Sequence, residues 1–362
     1  MGEMKKTTDS CILYGVPRIH FGMEEDGRFQ ATPFPMCFRT VLNYMGQDFG
    51  YTQAMVYSGA AFRMRWGIEN GGWDLAAIDI RNIYETWEKP FRLAFKAAGR
   101  DYNVPDITDE SMKKEIYLQF IKSELDCGRP VIALGVVGPP EACIITGYRK
   151  NGETLLGWSL FQGDVPFGGE HDIDETGYFS QDKWFENIEG IMAIGEDIGK
   201  GASVKEVLQN AYTLMTKENV TVYDGMFSYH GGQAAYEAWA KTIENDSFFS
   251  GENFKQEYGN CQNDAEMMLG EGRGYAAVYL NNLAETTPYS ADELRHCAAL
   301  IESAAVCAWK MQDPRGGWQV TDENMARFRD AKVRKRIAEL IRQAAIYEKD
   351  ACAKLKGIID KI

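Results

Sequence analysis

The residues Pro33-Phe-Pro-Met-Cys37-Phe-Arg-Thr-Val-Leu-Asn-Tyr-Met-Gly46 place a cysteine directly after two prolines and ahead of an apolar helical pattern. The prolines hold the entering chain extended, and Pro35 suits the first turn of a helix. Apolar residues then recur at helical spacing until Gly46 ends the pattern. We therefore expect Cys37 to lie in the first turn of a helix.

A thiol in a first helical turn lies beside backbone N–H groups that have no partner within the helix. These groups favour an anion, so they lower the pKa of the thiol and make thiolate available as a nucleophile. Cys37 is therefore a candidate nucleophile for a cysteine hydrolase or acyltransferase. The alternative is a buried structural cysteine that happens to fall near a helix start.

The composition of the chain restricts the classes of protein to consider. Its 362 residues are enough for two domains with separate cores, and 45% hydrophobic with 25% charged residues is typical of a soluble protein. The net charge of −14 argues against a nucleic-acid partner, because phosphate binding needs a surplus of Lys and Arg. No signal-like N-terminus and no apolar stretch of membrane-spanning length occurs, so we expect a cytoplasmic protein without a membrane partner.

The cysteines and histidines give no indication of a metal centre. The eight cysteines are scattered without a CxxC pair, and the four histidines are far apart and lack a ligand motif. We therefore expect reduced thiols, no metal site and no cofactor.

The first half of the sequence predicts an α+β domain with an antiparallel sheet. Helical periodicity occurs over 52–64 and 112–125, and apolar runs typical of strands occur over 131–137, 142–148, 153–159 and 188–194. Lys150-Asn-Gly152, between two of these runs, is a strong hairpin signal.

The second half predicts helices and almost no strand. The helical segments are 203–217, 232–243, 264–283, 291–311 and 322–359. The stretch 195–202, rich in glycine and small residues, is the expected junction. We therefore predict an α+β domain over 1–198 and a helical bundle domain over 199–362.

Several of these motifs follow an order known from one family of proteins. A cysteine helix ending in Leu-Asn-Tyr-Met-Gly is followed by a helix, by Gly128-Arg-Pro-Val-Ile and by an apolar strand ending in Thr146-Gly-Tyr before a hairpin. This order resembles papain-like peptidases of the bacteriocin-leader-processing type. The closer resemblance, over residues 10–195, is to the N-terminal domain of the butirosin biosynthesis protein H family, in which a Cys-x-x-Thr helix, here Cys37 and Thr40, precedes a helical part. The segment 231–239 also resembles the helical domains attached to such proteins.

The resemblance implies a papain-like fold with Cys37 as nucleophile and a general base on the strand before Thr146. In the peptidases this base is a histidine six residues before the glycine, and that position is Glu141 here. An ordinary glutamate is too weak a base to accept and return the thiol proton, although burial could raise its pKa. Glu141 is therefore either an unusual acid/base group or a residue with a structural or ligand-binding role.

The resemblance also indicates which residues line the cleft. The group that orients the histidine usually lies on the following strand, where Trp158, Ser159 and Gln162 stand instead of a carboxylate. Met36 stands where butirosin-type domains tend to have histidine. Gln30 lies one residue further from the cysteine than the oxyanion-hole glutamine of the peptidases.

Arginine and aromatic residues outside these motifs are further candidates. Small residues precede Arg63, which either packs closely or pairs with a carboxylate or phosphate near a cleft. Trp66 and Trp73, with Trp158 and Phe161, could floor an apolar pocket or belong to the core. His20 lies in an edge-strand-like setting typical of a structural histidine.

Two functional hypotheses from different classes follow. The leading one is cysteine-dependent acyl transfer or amide hydrolysis on a small molecule, a peptide or a carrier-protein-bound acyl group, with Cys37 as nucleophile and Glu141 handling the proton. Its rival is a catalytically degenerate papain-like protein, a pseudoenzyme that binds a metabolite or peptide in the same cleft. A structural or assembly role of the helical domain is a third option, and the chain could also form a homo-oligomer.

Overall fold

The computed structural model describes residues 2–23, 27–163, 165–287 and 290–362. The chain divides into two units, one formed by Met1–Ala54 with Ala94–Gly201 and the other by Met55–Leu93 with Ala202–Ile362. The later boundary lies close to the junction predicted from the sequence. The segment Met55–Leu93, which the prediction assigned to the first domain, belongs to the second unit.

The secondary structure mixes helices and strands. The strands are β1 (Met4–Lys6), β2 (Cys11–Leu13), β3 (Gly22–Met23), β4 (Phe29–Gln30), β5 (Arg65–Gly67), β6 (Arg100–Asn103), β7 (Val131–Leu134), β8 (Ala142–Arg149), β9 (Thr154–Trp158), β10 (Asp172–Ile173), β11 (Phe179–Gln181), β12 (Gly190–Asp197), β13 (Asn219–Val222) and β14 (Phe227–Gly231). The helices are α1 (Pro33–Tyr44), α2 (Tyr51–Tyr57), α3 (Lys89–Ala97), α4 (Lys113–Asp126), α5 (Val165–Gly168), α6 (Val204–Thr216), α7 (Gly232–Glu244), α8 (Glu257–Thr286), α9 (Ala291–Lys310), α10 (Gln312–Arg315), α11 (Asp322–Phe328) and α12 (Ala331–Ile359). None of the helices in the described parts of the chain has the length and apolar character that crossing a bilayer requires.

The first unit is built on an antiparallel sheet, as the sequence predicts. Its strand order is β10-β11-β9-β8-β7-β12-β6, and β2 pairs with both β1 and β8. The hairpin from β8 to β9 is confirmed, and its turn residues Lys150, Asn151 and Gly152 all have positive φ. Gly147 on β8 lies so close to β2 that a Cβ there would be 2.8 Å from the carbonyl oxygen of Cys11. Helix α1 packs against β7 and β8, so the sheet supports the helix that carries Cys37.

The long helices of the second unit pack against one another. Helix α8 packs against α9, and α12 packs against α9, α7 and α6. Each segment predicted to be helical contains a helix, although 264–283 is part of the longer α8 and 322–359 divides into α11 and α12. The division occurs at Asp330, whose side chain accepts a hydrogen bond from Lys332 N and caps α12.

The second unit also contains strands, which corrects the prediction of an all-helical bundle. Strands β13, β14 and β5 form an antiparallel sheet in that order. The pairing of His230 on β14 with Trp66 on β5 joins distant parts of the chain, so neither strand has a local hairpin signal to this partner. The predicted helix over 52–64 ends earlier, at Tyr57, because Gly59 has a φ of 86°.

Aromatic side chains form much of the core of the second unit. Trp66 stacks on Trp239 with ring centroids 5.6 Å apart, and Trp73 stacks on Tyr258 at 4.4 Å. Trp66 and Trp73 are therefore core residues and do not floor a ligand pocket, because large apolar rings gain most free energy when they are removed from water.

A buried arginine attaches the segment Met55–Leu93 to this core. The guanidinium of Arg273 on α8 forms a two-pronged ion pair with Glu348 on α12, and its Nη1 donates to the carbonyl oxygens of Ala61 and Arg63 at 2.8 and 3.0 Å. The side chains of Arg273 and Glu348 are both completely buried. This network gives a physical reason why the segment belongs to the second unit.

Candidate functional site

Cys37 lies deeper in α1 than the sequence predicts. The helix begins at Pro33 and not at Pro35, because a proline at the first helical position has a suitable φ and lacks only an N–H that would be unpaired anyway. Cys37 is therefore the fifth residue of the helix and lies beyond its first turn. The prediction of a first-turn thiol is wrong.

The start of α1 also offers few backbone donors. A helix begins with four N–H groups that have no partner within the helix, and two of these positions are Pro33 and Pro35, which have no N–H. The N–H of Thr32 donates to the hydroxyl of Tyr51 at 3.1 Å. The expected stabilisation of an anion by this helix end is correspondingly small.

The thiol of Cys37 is completely buried. Its exposed fraction is 0%. Burial raises the pKa of Cys37 well above the ordinary value, and the nearby Cys143 and Glu141 raise it further. The thiol is therefore protonated at neutral pH and has no contact with solvent, which is the environment of a structural cysteine.

Cys143 is a neighbour of Cys37 that the sequence reasoning did not identify. It lies on β8, is completely buried, and donates from its sulfur to the carbonyl oxygen of Ala133 at 3.4 Å. Burial raises the pKa of Cys143 to about 12. The sequence did contain a signal for this residue. Side chains two residues apart on a strand point to the same face, and Cys143 follows Glu141 by two residues.

Glu141 lies one residue before β8 and is half-buried. Its backbone is held by two hydrogen bonds, because its N–H donates to Pro139 O at 2.5 Å and its carbonyl accepts from Gly135 N at 3.1 Å. The negative charge of Glu141 contributes to the raised pKa of Cys37. The carboxylate therefore opposes thiolate formation, as expected for like charges.

A cavity of about 60 Å³ lies beside the residue that precedes Cys37. It is lined by Arg18, Ile19, His20, Gly22, Met23, Gln30, Met36 and Arg39. The structure thus brings together Gln30 and Met36, which were predicted for the cleft, and His20, which was predicted to be structural. Arg18 and Arg39 were missed, although Arg39 follows Met36 by one helical turn and Arg18 precedes His20 by two residues.

Polar groups approach this cavity from two sides. Gln30 is 5% exposed, and within the described parts of the chain its side-chain amide forms no hydrogen bond. Arg18 is exposed, and its guanidinium carbon lies 5.6 Å from the centre of the Trp158 ring. Trp158 is itself fixed, because its Nε1 donates to the carbonyl oxygen of Val16 at 2.9 Å.

Ser159 and Gln162, which were predicted for the cleft, are not among the residues given above as lining the cavity, and their side chains bond to backbone groups. The hydroxyl of Ser159 donates to Val137 O at 3.0 Å and accepts from Phe161 N at 3.1 Å. The amide nitrogen of Gln162 donates to Gly177 O at 2.7 Å. These bonds stabilise the chain that follows β9.

Arg63 belongs to the second unit, whereas Cys37 and the cavity belong to the first. Its side chain is 3% exposed, and its carbonyl oxygen accepts from Arg273. Arg63 is therefore part of the buried interior around α8.

No group of three His, Cys, Asp or Glu side chains suited to a metal ion occurs within residues 2–23, 27–163, 165–287 and 290–362. The polar groups at the cavity are arginine, histidine and amide side chains. Such groups bind and orient an anion or a hydrogen-bonding ligand.

Comparison with known proteins gives no match to a protein-family model and no significant match to a curated protein. Function is therefore inferred from the residues around Cys37 and the cavity.

Proposed function

We propose that the first unit binds a small molecule in the cavity beside Met36 and does not use Cys37 as a nucleophile. This corresponds to the degenerate papain-like hypothesis, in which the cleft keeps a binding role after the chemistry is lost. The observation that carries the proposal is the complete burial of the Cys37 side chain. An acyl group has to reach a nucleophilic sulfur, and a sulfur without exposed surface offers no path of attack.

The charges around the thiol support the same proposal. A cysteine nucleophile needs a base or a positive charge that favours thiolate. Here burial, Cys143 and Glu141 all raise the pKa of Cys37. All three therefore favour a neutral thiol that packs against β8. Acyl transfer needs the thiolate, which all three disfavour.

The papain-like resemblance remains part of the proposal. An antiparallel sheet with a cysteine helix packed on β7 and β8 supports it at the level of architecture. A histidine is missing from the position of Glu141, and a first-turn cysteine is missing from α1. A fold of this kind that has lost both features fits a ligand-binding protein better than a hydrolase.

Binding can be tested by NMR on the full chain with labelled methionine methyl groups. A mixed set of neutral, anionic and cationic small molecules is added, and the Met36 signal, assigned with Met36→Leu, is followed. We expect some members of the set to shift Met36 and to leave Met192 unchanged, because Met192 is a completely buried residue of β12. If no member shifts Met36, the binding proposal is wrong.

Labelling of thiols separates binding from acyl transfer. Cys127 is exposed and serves as the internal control for Cys37 in the same chain. We expect iodoacetamide near neutral pH to modify Cys37 at least about tenfold more slowly than Cys127, because each unit of raised pKa removes a factor of ten in thiolate. Mass spectrometry of peptides gives both rates. Faster modification of Cys37 than of Cys127 would revive the acyl-transfer hypothesis.

A further inference from the structure

The cavity beside Met36 combines residues from four parts of the first unit, one of which is β3 with Gly22 and Met23. Arg18, Ile19 and His20 come from the chain before β3, Gln30 comes from β4, and Met36 and Arg39 come from α1. The lining residues have very different polarity, so the kind of ligand can be inferred from them. This inference rests on the proposed binding function and specifies its ligand.

The charged residues that line the cavity are arginines. Arg18 and Arg39 are among the lining residues, and no Asp or Glu is among those of the described chain. The chain as a whole carries a net charge of −14, so a general surplus of basic residues does not explain this local positive charge. A guanidinium presents N–H groups in a planar fork that matches a carboxylate.

Arg18 is held in a position that leaves its N–H groups available. Its guanidinium lies over the Trp158 ring, with the carbon 5.6 Å from the ring centre. An arginine over an aromatic ring contacts it through the flat face, and the N–H edges remain directed outward. The indole bond to Val16 fixes the ring beneath it.

Gln30 supplies a second and independent observation. The side-chain amide of a buried residue normally forms hydrogen bonds to the protein, to water or to a ligand. Gln30 forms none within the described chain, and it lines the cavity at 5% exposure. Its amide is thus available to donate to a ligand oxygen.

The remaining lining residues are apolar and indicate the rest of the ligand. Ile19 and Met36 are 3% and 1% exposed, whereas Met23 is 70% exposed at the opening. Phe21 stands in sequence between the lining residues His20 and Gly22, is 39% exposed, and packs edge-on against Phe161 with ring centroids 5.7 Å apart. The cavity volume of about 60 Å³ corresponds to roughly two water molecules. A carboxylate group fits inside, and the apolar chain of the ligand that carries it would extend over Phe21 and Met23.

We propose that this cavity binds the carboxylate of a small monocarboxylic acid with an apolar chain. Arg18 and Gln30 donate hydrogen bonds to the two carboxylate oxygens. Phe21 and Met23 cover the chain of the ligand.

The experiment compares hexanoate, hexanamide and inorganic phosphate as probes of the full chain, with the methyl signals of Met36 and Met23 as readout. We expect hexanoate to shift both signals and to bind about tenfold or more tightly than hexanamide, because hydrogen bonds to a charged carboxylate are roughly twice as strong as hydrogen bonds to a neutral amide. Phosphate is expected to bind more weakly than hexanoate, because it lacks the apolar chain.

Substitutions test the assigned residues. Arg18→Gln and Gln30→Leu should each weaken hexanoate binding about tenfold. Arg149→Gln is the matched control, because Arg149 pairs with Asp174 at the end of β8 remote from Glu141, and hexanoate should bind this variant as it binds the unsubstituted chain. The methyl spectrum of each variant without ligand shows whether it is folded.

Different outcomes identify which proposal fails. Equal affinity for hexanoate and hexanamide, or unchanged hexanoate affinity in Arg18→Gln, would overturn the proposed carboxylate site. If the Met36 signal still shifts in these experiments, the proposed binding function stands. Stronger binding of phosphate than of hexanoate would overturn the choice of carboxylate. Absence of any shift of the Met36 signal with the whole mixed set would overturn the binding function itself.

Discussion

Asp264 on α8 is a carboxylic acid that is largely removed from solvent. Burial alone raises the pKa of its carboxyl group from 3.8 to about 7. In the unfolded chain an aspartate titrates near its ordinary value of about 3.9. Between these two values the folded protein holds a proton that the unfolded chain has released. The contribution of Asp264 to the free energy of unfolding is therefore at its maximum below about pH 4. This contribution is lost as the pH rises to about 7.

We expect Asp264→Asn to remove this loss. Since Asp264 retains some contact with solvent, we expect the variant to be more stable than the unsubstituted chain by about 1 to 3 kcal/mol at about pH 8 and by little at about pH 4. Urea unfolding followed by tryptophan fluorescence gives both values. Asp350→Asn on the exposed face of α12 is the control and should leave the pH profile unchanged. Parallel profiles for the Asp264 variant and the unsubstituted chain would contradict the prediction.

The surroundings of Cys37 show how far single residues can be predicted from sequence. Proximity of Cys37 and Glu141 was inferred from motif order, and Glu141 does influence the pKa of the thiol. The burial of the thiol was not predicted, because it depends on packing of α1 against β7 and β8. Arg18 and Gln30 are twelve residues apart in sequence, and only the folded chain brings them to one cavity.

Two glycines on long helices of the second unit differ in their surroundings. A Cβ at Gly270 on α8 would lie 2.5 Å from the Trp309 ring of α9, whereas a Cβ at Gly357 on α12 would have no atom within 4 Å. Alanine favours a helix over glycine by up to about 1 kcal/mol. The same substitution should therefore have opposite effects at the two positions.

We expect Gly270→Ala to lower the free energy of unfolding by about 1 to 3 kcal/mol, because α8 and α9 must separate to admit the methyl group. Gly357→Ala should raise it by a few tenths to about 1 kcal/mol. Urea unfolding of both variants provides the comparison, and each serves as the control for the other. A stabilising effect at Gly270 would show that the packing of α8 on α9 is looser than described.

Helices and hairpins were predicted where their signals are local. The period of apolar residues identified α4, α6, α7 and α9 to within two residues at most ends, and Lys150-Asn-Gly152 identified the hairpin. Strands β5, β13 and β14 were missed, because a strand of three to five residues has few positions in which to display a period. The pairing of β14 with β5 also joins segments that are far apart in sequence.

The buried ion pair of Arg273 and Glu348 connects α8, α12 and the segment Met55–Leu93. Besides the arginine, Glu348 accepts a hydrogen bond from the hydroxyl of Tyr236 at 2.7 Å. Burying two charges costs free energy that only close pairing and hydrogen bonds can offset. If either Arg273 or Glu348 is replaced by an apolar residue, the other remains a buried charge without an oppositely charged partner.

We expect Arg273→Met to lower the free energy of unfolding by about 3 to 5 kcal/mol. The double variant Arg273→Met with Glu348→Leu should recover much of that loss, because no isolated charge remains. Arg342→Met is the control, since Arg342 forms an exposed pair with Glu244 and should cost less than about 1 kcal/mol. Urea unfolding measures all three, and a double variant no more stable than Arg273→Met would contradict this account.

The assignment of Met55–Leu93 to the second unit has a consequence for synthesis on the ribosome. The first unit is complete once Gly201 has emerged, but Met55–Leu93 must wait for the residues after it. At about 5 to 20 residues per second, the rest of the chain takes roughly 10 to 30 s to appear. During that interval Trp66 and Trp73 lack the aromatic partners that cover them in the folded protein, which makes this nascent segment a natural substrate for chaperones.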